Sequence, residues 1–123
     1  MSVHNTQVSV NIDGRLTYRD AADFLMFIKQ LSKANPLVIT VELRELHFLD
    51  SSALSMIIVL NDVARLLGAS ISFYNPCGQV KRLFETACIY NLLDVHGVIE
   101  TNPGNFYANN GTVDSPLESF ELH

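Results

Sequence analysis

Cationic side chains are scarce in this sequence. Its 123 residues include eight Lys and Arg against thirteen Asp and Glu, for a formal charge of −5. The eight (Arg15, Arg19, Lys29, Lys33, Arg44, Arg65, Lys81 and Arg82) never cluster beyond a pair. Proteins that track nucleic-acid phosphates carry a basic face, so no nucleic-acid partner is expected. Cysteine is as sparse. Cys77 and Cys88 are too few for a disulfide scaffold and are expected as reduced thiols. Long hydrophobic runs are missing too. The longest, Met56 to Leu60, falls far short of the roughly 20 residues that span a bilayer, which excludes direct membrane insertion. The opening MSVHNTQVSV lacks a positive segment followed by an apolar run, so no secretion signal is expected. The expectation is a soluble, cytoplasmic protein.

Signatures of chemistry are missing as well. There is no Walker A motif, no G-x-G-x-x-G and no G-x-S-x-G elbow. His4, His47, His96 and His123 do not fall at metal-binding spacing, and Cys77 and Cys88 do not form C-x-x-C. No metal and no cofactor are expected, and the chain reads as a non-enzyme, with a Ser-His-Asp triad assembled in space left open. The sequon Asn110-Gly111-Thr112 carries no meaning without secretion.

What is present is a packed domain: 48% hydrophobic and 17% charged residues exclude disorder over most of the length. Gln7 to Ile12 alternates as a half-buried strand, and Asp13-Gly14 signals a turn that returns Arg15–Thr17 as the second strand of a hairpin. Asp20 then offers a helix cap, with Ala21, Leu25, Ile28 and Leu31 as the apolar face and Asn35-Pro36 as the stop. Leu37 to Val41 reads as a strand covered on both faces, and Leu46 to Leu49 as its continuation into a loop. Asp50-Ser51-Ser52 opens a helix running to Leu67, stopped by Gly68. Ala69 to Tyr74 gives another strand, and Gln79 to Ala87 another helix with Val80, Leu83, Phe84 and Ala87 on one side. Leu92, Leu93, Val95, Val98 and Ile99 are short apolar pieces that close the domain. Beyond Glu100 come the loop clusters Thr101–Gly104 and Asn109–Gly111, and Ser115-Pro116-Leu117-Glu118 has the composition of a helix start. Either a short helix carrying Leu117 and Phe120 or a frayed tail is expected there. Strands alternating with helices imply an α/β domain with parallel pairings.

The strand-to-helix junction at Asp50-Ser51-Ser52 stands out. Such junctions lie at the carboxyl end of a sheet, where open α/β folds place their sites. The plainer reading is that Asp50 or Ser51 only caps the helix. Along that helix, Met56 and Val59 follow Ser52 on one stripe, while Ala53, Ile57, Leu60, Ala64 and Leu67 form a second stripe better suited to the core. The first stripe is expected to be at least partly exposed, unless another helix covers both. Asp20 and Asp23 are read chiefly as solvated acids at the first helix start.

Leu49-Asp50-Ser51-Ser52-Ala53-Leu54 resembles the D-S-S-G-L signature of STAS domains, with Ala53 standing where the signature has Gly. Gly14-x-Leu16 followed by Ala21 or Ala22 is similar to the family's upstream G-x-L element, and Val80-x-x-Leu83-Phe84-x-x-Ala87 to its third-helix pattern. The likeness covers residues 6 to 100. It implies an α/β, STAS-like mixed β-sheet of four to five strands with helices packed against it and an N-terminal β-hairpin. The domain would span 1–103, with 104–123 as an extension.

The resemblance to bacterial anti-sigma factor antagonists further implies a protein-binding switch. In that reading Ser52 is the phosphorylation site, with Ser51 as the alternative. Asp50, Ser51, Ser52, Ser55, Met56 and Val59 form the partner-binding surface. The implied partners are a serine kinase acting as an anti-sigma-like regulator and a serine phosphatase that resets the switch. The alternative within the same fold is an accessory subunit of a membrane transport system that binds an ATPase or permease. A hydrolase using Ser51 or Ser52 is a third reading, from a different class.

Overall fold

The computed structural model describes residues 7–97 and the strand 118–122. In chain order the elements are β1 (Gln7–Ile12), β2 (Gly14–Leu16), a 3-10 turn (Tyr18–Asp20), α1 (Ala21–Ala34), β3 (Val38–Glu42), β4 (Leu46–Leu49), α2 (Ser51–Leu66), β5 (Ser70–Tyr74), α3 (Gly78–Thr86), a second 3-10 turn (Ile89–Asn91), β6 (Val95–His96) and β7 (Glu118–Leu122). Five strands form one sheet in the order β6-β5-β3-β1-β7, and β2 and β4 form a separate pair. The α/β expectation holds, and every strand pair among the described residues is parallel. Parallel neighbours need crossover connections, and α1, α2 and α3 lie on those crossovers.

Among the described residues the sheet is therefore parallel and not mixed, and the N-terminal hairpin is not formed. A two-residue hairpin of type I′ needs positive φ at both central residues, and of Asp13 and Gly14 only Gly14 has it, at 79°. That single left-handed residue diverts the chain out of the sheet. Its N–H donates to Glu45 O at 2.9 Å, and β2 runs parallel to β4, with Leu16 level with Leu49. Leu46 to Leu49 is accordingly a strand rather than a loop.

The core face of the sheet carries Val8, Val10, Ile12, Ile39, Val41, Ile71 and Phe73, all buried. Alternate residues such as Ser9, Thr40 and Ser72 are half-buried, so β3 is closed on one face and not on both. On α1 the buried residues are Phe24, Phe27, Ile28 and Leu31, while Leu25 is 54% exposed and Ala21 is exposed. The inward face is turned by about one residue from the Ala21–Leu25 stripe. Rotation seats Phe24 and Phe27, whose ring centroids lie 5.7 Å apart, and two phenyl rings bury more apolar area than a leucine and an alanine.

Helix α2 matches its expected core stripe at Ala53, Ile57, Leu60 and Ala64, with Leu67 half-buried. It ends in a Schellman arrangement: Ala69 N–H donates to Ala64 O (2.9 Å) and Gly68 N–H to Arg65 O (3.0 Å), with Gly68 at φ 82°. On α3, Val80 and Phe84 are buried, Leu83 is half-buried and Ala87 is exposed. Leu93 and β6 close the far edge, while Leu92 is 53% exposed. Glu118–Leu122 is neither helix nor frayed tail but a strand against β1. Val98, Ile99, the two loop clusters, the sequon and Ser115 to Leu117 lie outside the described residues.

Candidate functional site

The carboxyl ends of β2 and β4 meet at the start of α2, and one carboxylate organises the junction. Asp50 is the N-cap of α2, with extended backbone at φ −96° and ψ 178°. Its Oδ1 accepts from Ala53 N–H at 2.8 Å, relieving one of the first-turn amides that have no intrahelical acceptor. Its Oδ2 accepts from Tyr18 N–H at 3.1 Å, which ties the turn after β2 to the same point. The Asp50 N–H donates to Leu16 O at 3.3 Å. Asp50 thus bonds to both the helix it opens and the segment packed beside it.

Two further groups steady the junction. The Gln79 side chain, from the first turn of α3, clasps the Leu49 main chain. Its Oε1 accepts from Leu49 N–H at 3.0 Å and its Nε2 donates to Leu49 O at 2.9 Å. This pair stands where β4 has no strand neighbour among the described residues. In the turn, Thr17 and Asp20 form a capping box: Asp20 Oδ2 accepts from Thr17 N–H (2.8 Å) and Thr17 Oγ1 from Arg19 N–H (3.3 Å). Asp20 therefore caps the 3-10 turn and makes no side-chain cap bond to α1, and Asp23 is an exposed acid in the first turn of α1.

Ser51 and Ser52, the first two residues of α2, are exposed. The Ser52 hydroxyl makes no hydrogen bond among the described residues. Ser55 is exposed and its Oγ donates back to Ser51 O at 3.3 Å. Further along, Met56 is half-buried against the core and Val59 is 44% exposed. Of the six residues singled out in the sequence, Asp50 is the N-cap of α2 and the other five lie between its first residue, Ser51, and Val59. Ala53 is fully buried, so the methyl group that replaces the signature glycine fills the core and not the surface.

Sequence reasoning missed Gln79, Tyr18 and Thr17. Thr17-x-x-Asp20 has the local form of a capping box and was detectable. The Gln79 clasp joins residues thirty apart and has no local signal.

Away from the junction, Ser72 Oγ donates to Asp94 Oδ2 at 2.7 Å, and His96 Nε2 lies 2.9 Å from Asp94 Oδ1. The Tyr74 ring stacks on His96 with centroids 5.0 Å apart. The Ser72 bond, then the His96 bond, hold the Asp94 carboxyl below the ordinary aspartate range. The carboxylate here bridges serine and histidine, whereas a nucleophilic triad needs the histidine between the other two. Burial, with Glu85 nearby, pushes the Tyr90 phenol up. Among the described residues no group of three His, Cys, Asp or Glu is placed to hold a metal ion, and no helix is long and apolar enough to cross a membrane.

A parallel sheet crossed by helices, with a serine pair opening the second of them, defines a STAS-type α/β domain. The chain belongs to the STAS_2 family, described as "Mlab, STAS domain", whose model matches residues 2–94. No curated protein matches the chain. Among solved structures it is similar to the anti-sigma factor antagonist SpoIIAA in its unphosphorylated form, at 12% identity and a TM-score of 0.57, with 92% of this chain and 96% of that chain covered. It is also similar to the SulP transporter STAS domain from Vibrio cholerae, at 14% identity and a TM-score of 0.63, covering 89% of this chain and 85% of that one. At such identities the likeness shows the fold.

Proposed function

We propose that this STAS domain is a non-enzymatic, cytoplasmic protein-binding switch controlled by phosphorylation of Ser52. The observation that carries the reading is a division of labour at one helix start. Asp50 does the capping, while the Ser52 hydroxyl is exposed and unengaged among the described residues. In the unphosphorylated form, the surface formed by Ser51, Ser52, Ser55, Met56 and Val59 binds a kinase-type, anti-sigma-like regulator, and Asp50 holds that surface in shape. A serine kinase adds the phosphate and a serine phosphatase removes it. The domain spans 1–103, and 104–123 is an extension whose strand Glu118–Leu122 adds to the edge of its sheet.

A phosphoserine brings about −1.5 to −2 charges at neutral pH. At a helix start the macrodipole and free first-turn amides favour that charge, and the Asp50 carboxylate two residues back opposes it. The fold tolerates the modification, so its effect falls on a partner that must desolvate the new dianion. Likeness to the SulP transporter STAS domain supports a second reading: the same helix start docks on an ATPase or permease of a transport system, without phosphorylation.

The test is mass spectrometry of the chain incubated with its serine kinase, together with titration of the regulator. One phosphate is expected, lost in Ser52→Ala and kept in Ser51→Ala, and the phosphorylated chain should bind at least tenfold more weakly. A phosphate carried on Ser51 in place of Ser52, or unchanged affinity after modification, overturns the switch. Binding to a membrane ATPase that is insensitive to Ser52→Asp but lost in Val59→Asp selects the transport reading.

A further inference from the structure

Among the described buried residues Asn61 alone is polar, at 5% exposure. It sits in the later half of α2, where its Nδ2 donates to Leu92 O at 3.4 Å. That bond spends the amide nitrogen and leaves Oδ1 as an acceptor that takes no hydrogen bond among the described residues. Native interiors pair nearly all of their acceptors, because one buried without a donor loses its hydration uncompensated.

Asn61 lines an open groove of about 440 Å³ together with Ile58, Asp62, Arg65, Leu66 and Leu92. That volume falls within the range of small-molecule sites. Ile58 is half-buried, while Leu66 is 86% and Leu92 53% exposed, so the apolar lining is open to a ligand. Asp62 and Arg65 are exposed, and neither forms an ion pair among the described residues. Three apart on one helix, they carry opposite charges on Cβ atoms about 5–6 Å from each other. Asp62 lies about 15 Å along α2 from Ser52, which makes the groove separate from the serine pair.

We propose that this groove binds a small apolar zwitterion, a free α-amino acid with an aliphatic or aromatic side chain. Its ammonium donates to Asn61 Oδ1 and pairs with Asp62, and its carboxylate pairs with Arg65. Its side chain lies on Ile58, Leu66 and Leu92. Opposite charges borne on one carbon match opposite charges three residues apart, and the ammonium supplies the donor that the buried oxygen lacks. The site does not depend on phosphorylation.

The probe is L-phenylalanine, titrated against the isotope-labelled full chain and followed by the Asn61 side-chain amide and the Leu92 main-chain amide. Both signals should shift saturably, with about millimolar affinity for so small a ligand. N-acetyl-L-phenylalanine lacks the ammonium and L-phenylalaninamide lacks the carboxylate. Each should bind about fivefold more weakly, the loss of one charge contact at an open surface. Asp62→Asn should weaken L-phenylalanine by a similar factor and leave the N-acetyl compound unchanged. Arg65→Gln should weaken it likewise and leave the amide unchanged. Both residues are exposed, so neither substitution burdens the fold.

No saturable shift up to the solubility limit of L-phenylalanine overturns the site. Analogues that bind as well as the amino acid overturn the zwitterion. Equal loss of affinity for all three compounds in either variant overturns the contacts assigned to Asp62 and Arg65.

Discussion

Asp50 combines two roles that are often given to separate residues. One carboxylate oxygen caps α2 through Ala53 N–H and the other holds Tyr18 N–H, so removing the side chain leaves two amides short of an acceptor. Loss of an N-cap costs about 1 kcal/mol, within a range of roughly 0.5–2. Asp50→Ala is expected in the upper part of that range by denaturant titration, with faster hydrogen exchange at Ala53 and Tyr18. A loss confined to Ala53 would show that the Tyr18 bond contributes nothing.

Asp94 gives a pH-dependent counterpart. Its folded-state pKa is lowered, first by the Ser72 bond and then by His96. A depressed carboxylate pKa contributes stability that is present above the ordinary aspartate range and fades as pH falls through the lowered value. Asp94→Asn should therefore be less stable than the parent at neutral pH, by a small amount because the carboxylate is 59% exposed. The difference should vanish in strong acid. A difference independent of pH would assign the effect to packing. At this scale the sequence was legible where the chemistry is local: a cap at Asp50 or Ser51 follows from their place before an apolar helix, and the structure gives it to Asp50. The second bond to Tyr18 and the Gln79 clasp depend on the tertiary fold.

Among the helices, α2 is the most legible and α1 the least. The α2 core stripe and its Gly68 stop follow from spacing and composition, and both are found. Gly68 sits at φ 82° with open space where a Cβ would stand, so the cost of a side chain there is backbone strain alone. Gly68→Ala should destabilise the fold by about 1 kcal/mol, read from the shift in thermal midpoint, without changing the core. An unchanged midpoint would mean the helix end relaxes to a right-handed cap.

On α1, the expected face ran through Ala21 and Leu25, whereas the buried face runs through Phe24 and Phe27. Side-chain size decided between them. The Asp13-Gly14 turn was legible as a turn, but which strand follows it depends on φ at Asp13. β2 then pairs with β4, which comes later in the chain.

For the molecule as a whole, the α/β class and the junction at Ser52 could be read from alternating strands, helices and one signature. The strand order could not, because nothing local says that Glu118–Leu122 belongs beside β1. The interior is apolar apart from Asn61 among the described buried residues, with Ile57 and Leu60 fully enclosed beneath the α2 surface that carries Ser52 and Val59. A charge added at Ser52 therefore reaches solvent and not the interior. The phosphorylated and unmodified chains are expected to share the same heat of unfolding, with thermal midpoints within about 2–4 °C, the shift that roughly 0.5 kcal/mol makes in a domain near this size. A larger fall would place the modification inside the packing.

The place of β1 between β3 and β7 also sets a timetable. Its contact with β3 spans one crossover and can form as soon as β3 has been made, whereas its contact with β7 joins Val8 to Glu118. Pairings so remote in sequence are slow to close. A nascent chain emerging from the ribosome thus carries the β6-β5-β3-β1 part of the sheet with the flank of β1 bare until Glu118–Leu122 arrives, and chaperone demand during synthesis should concentrate in that interval.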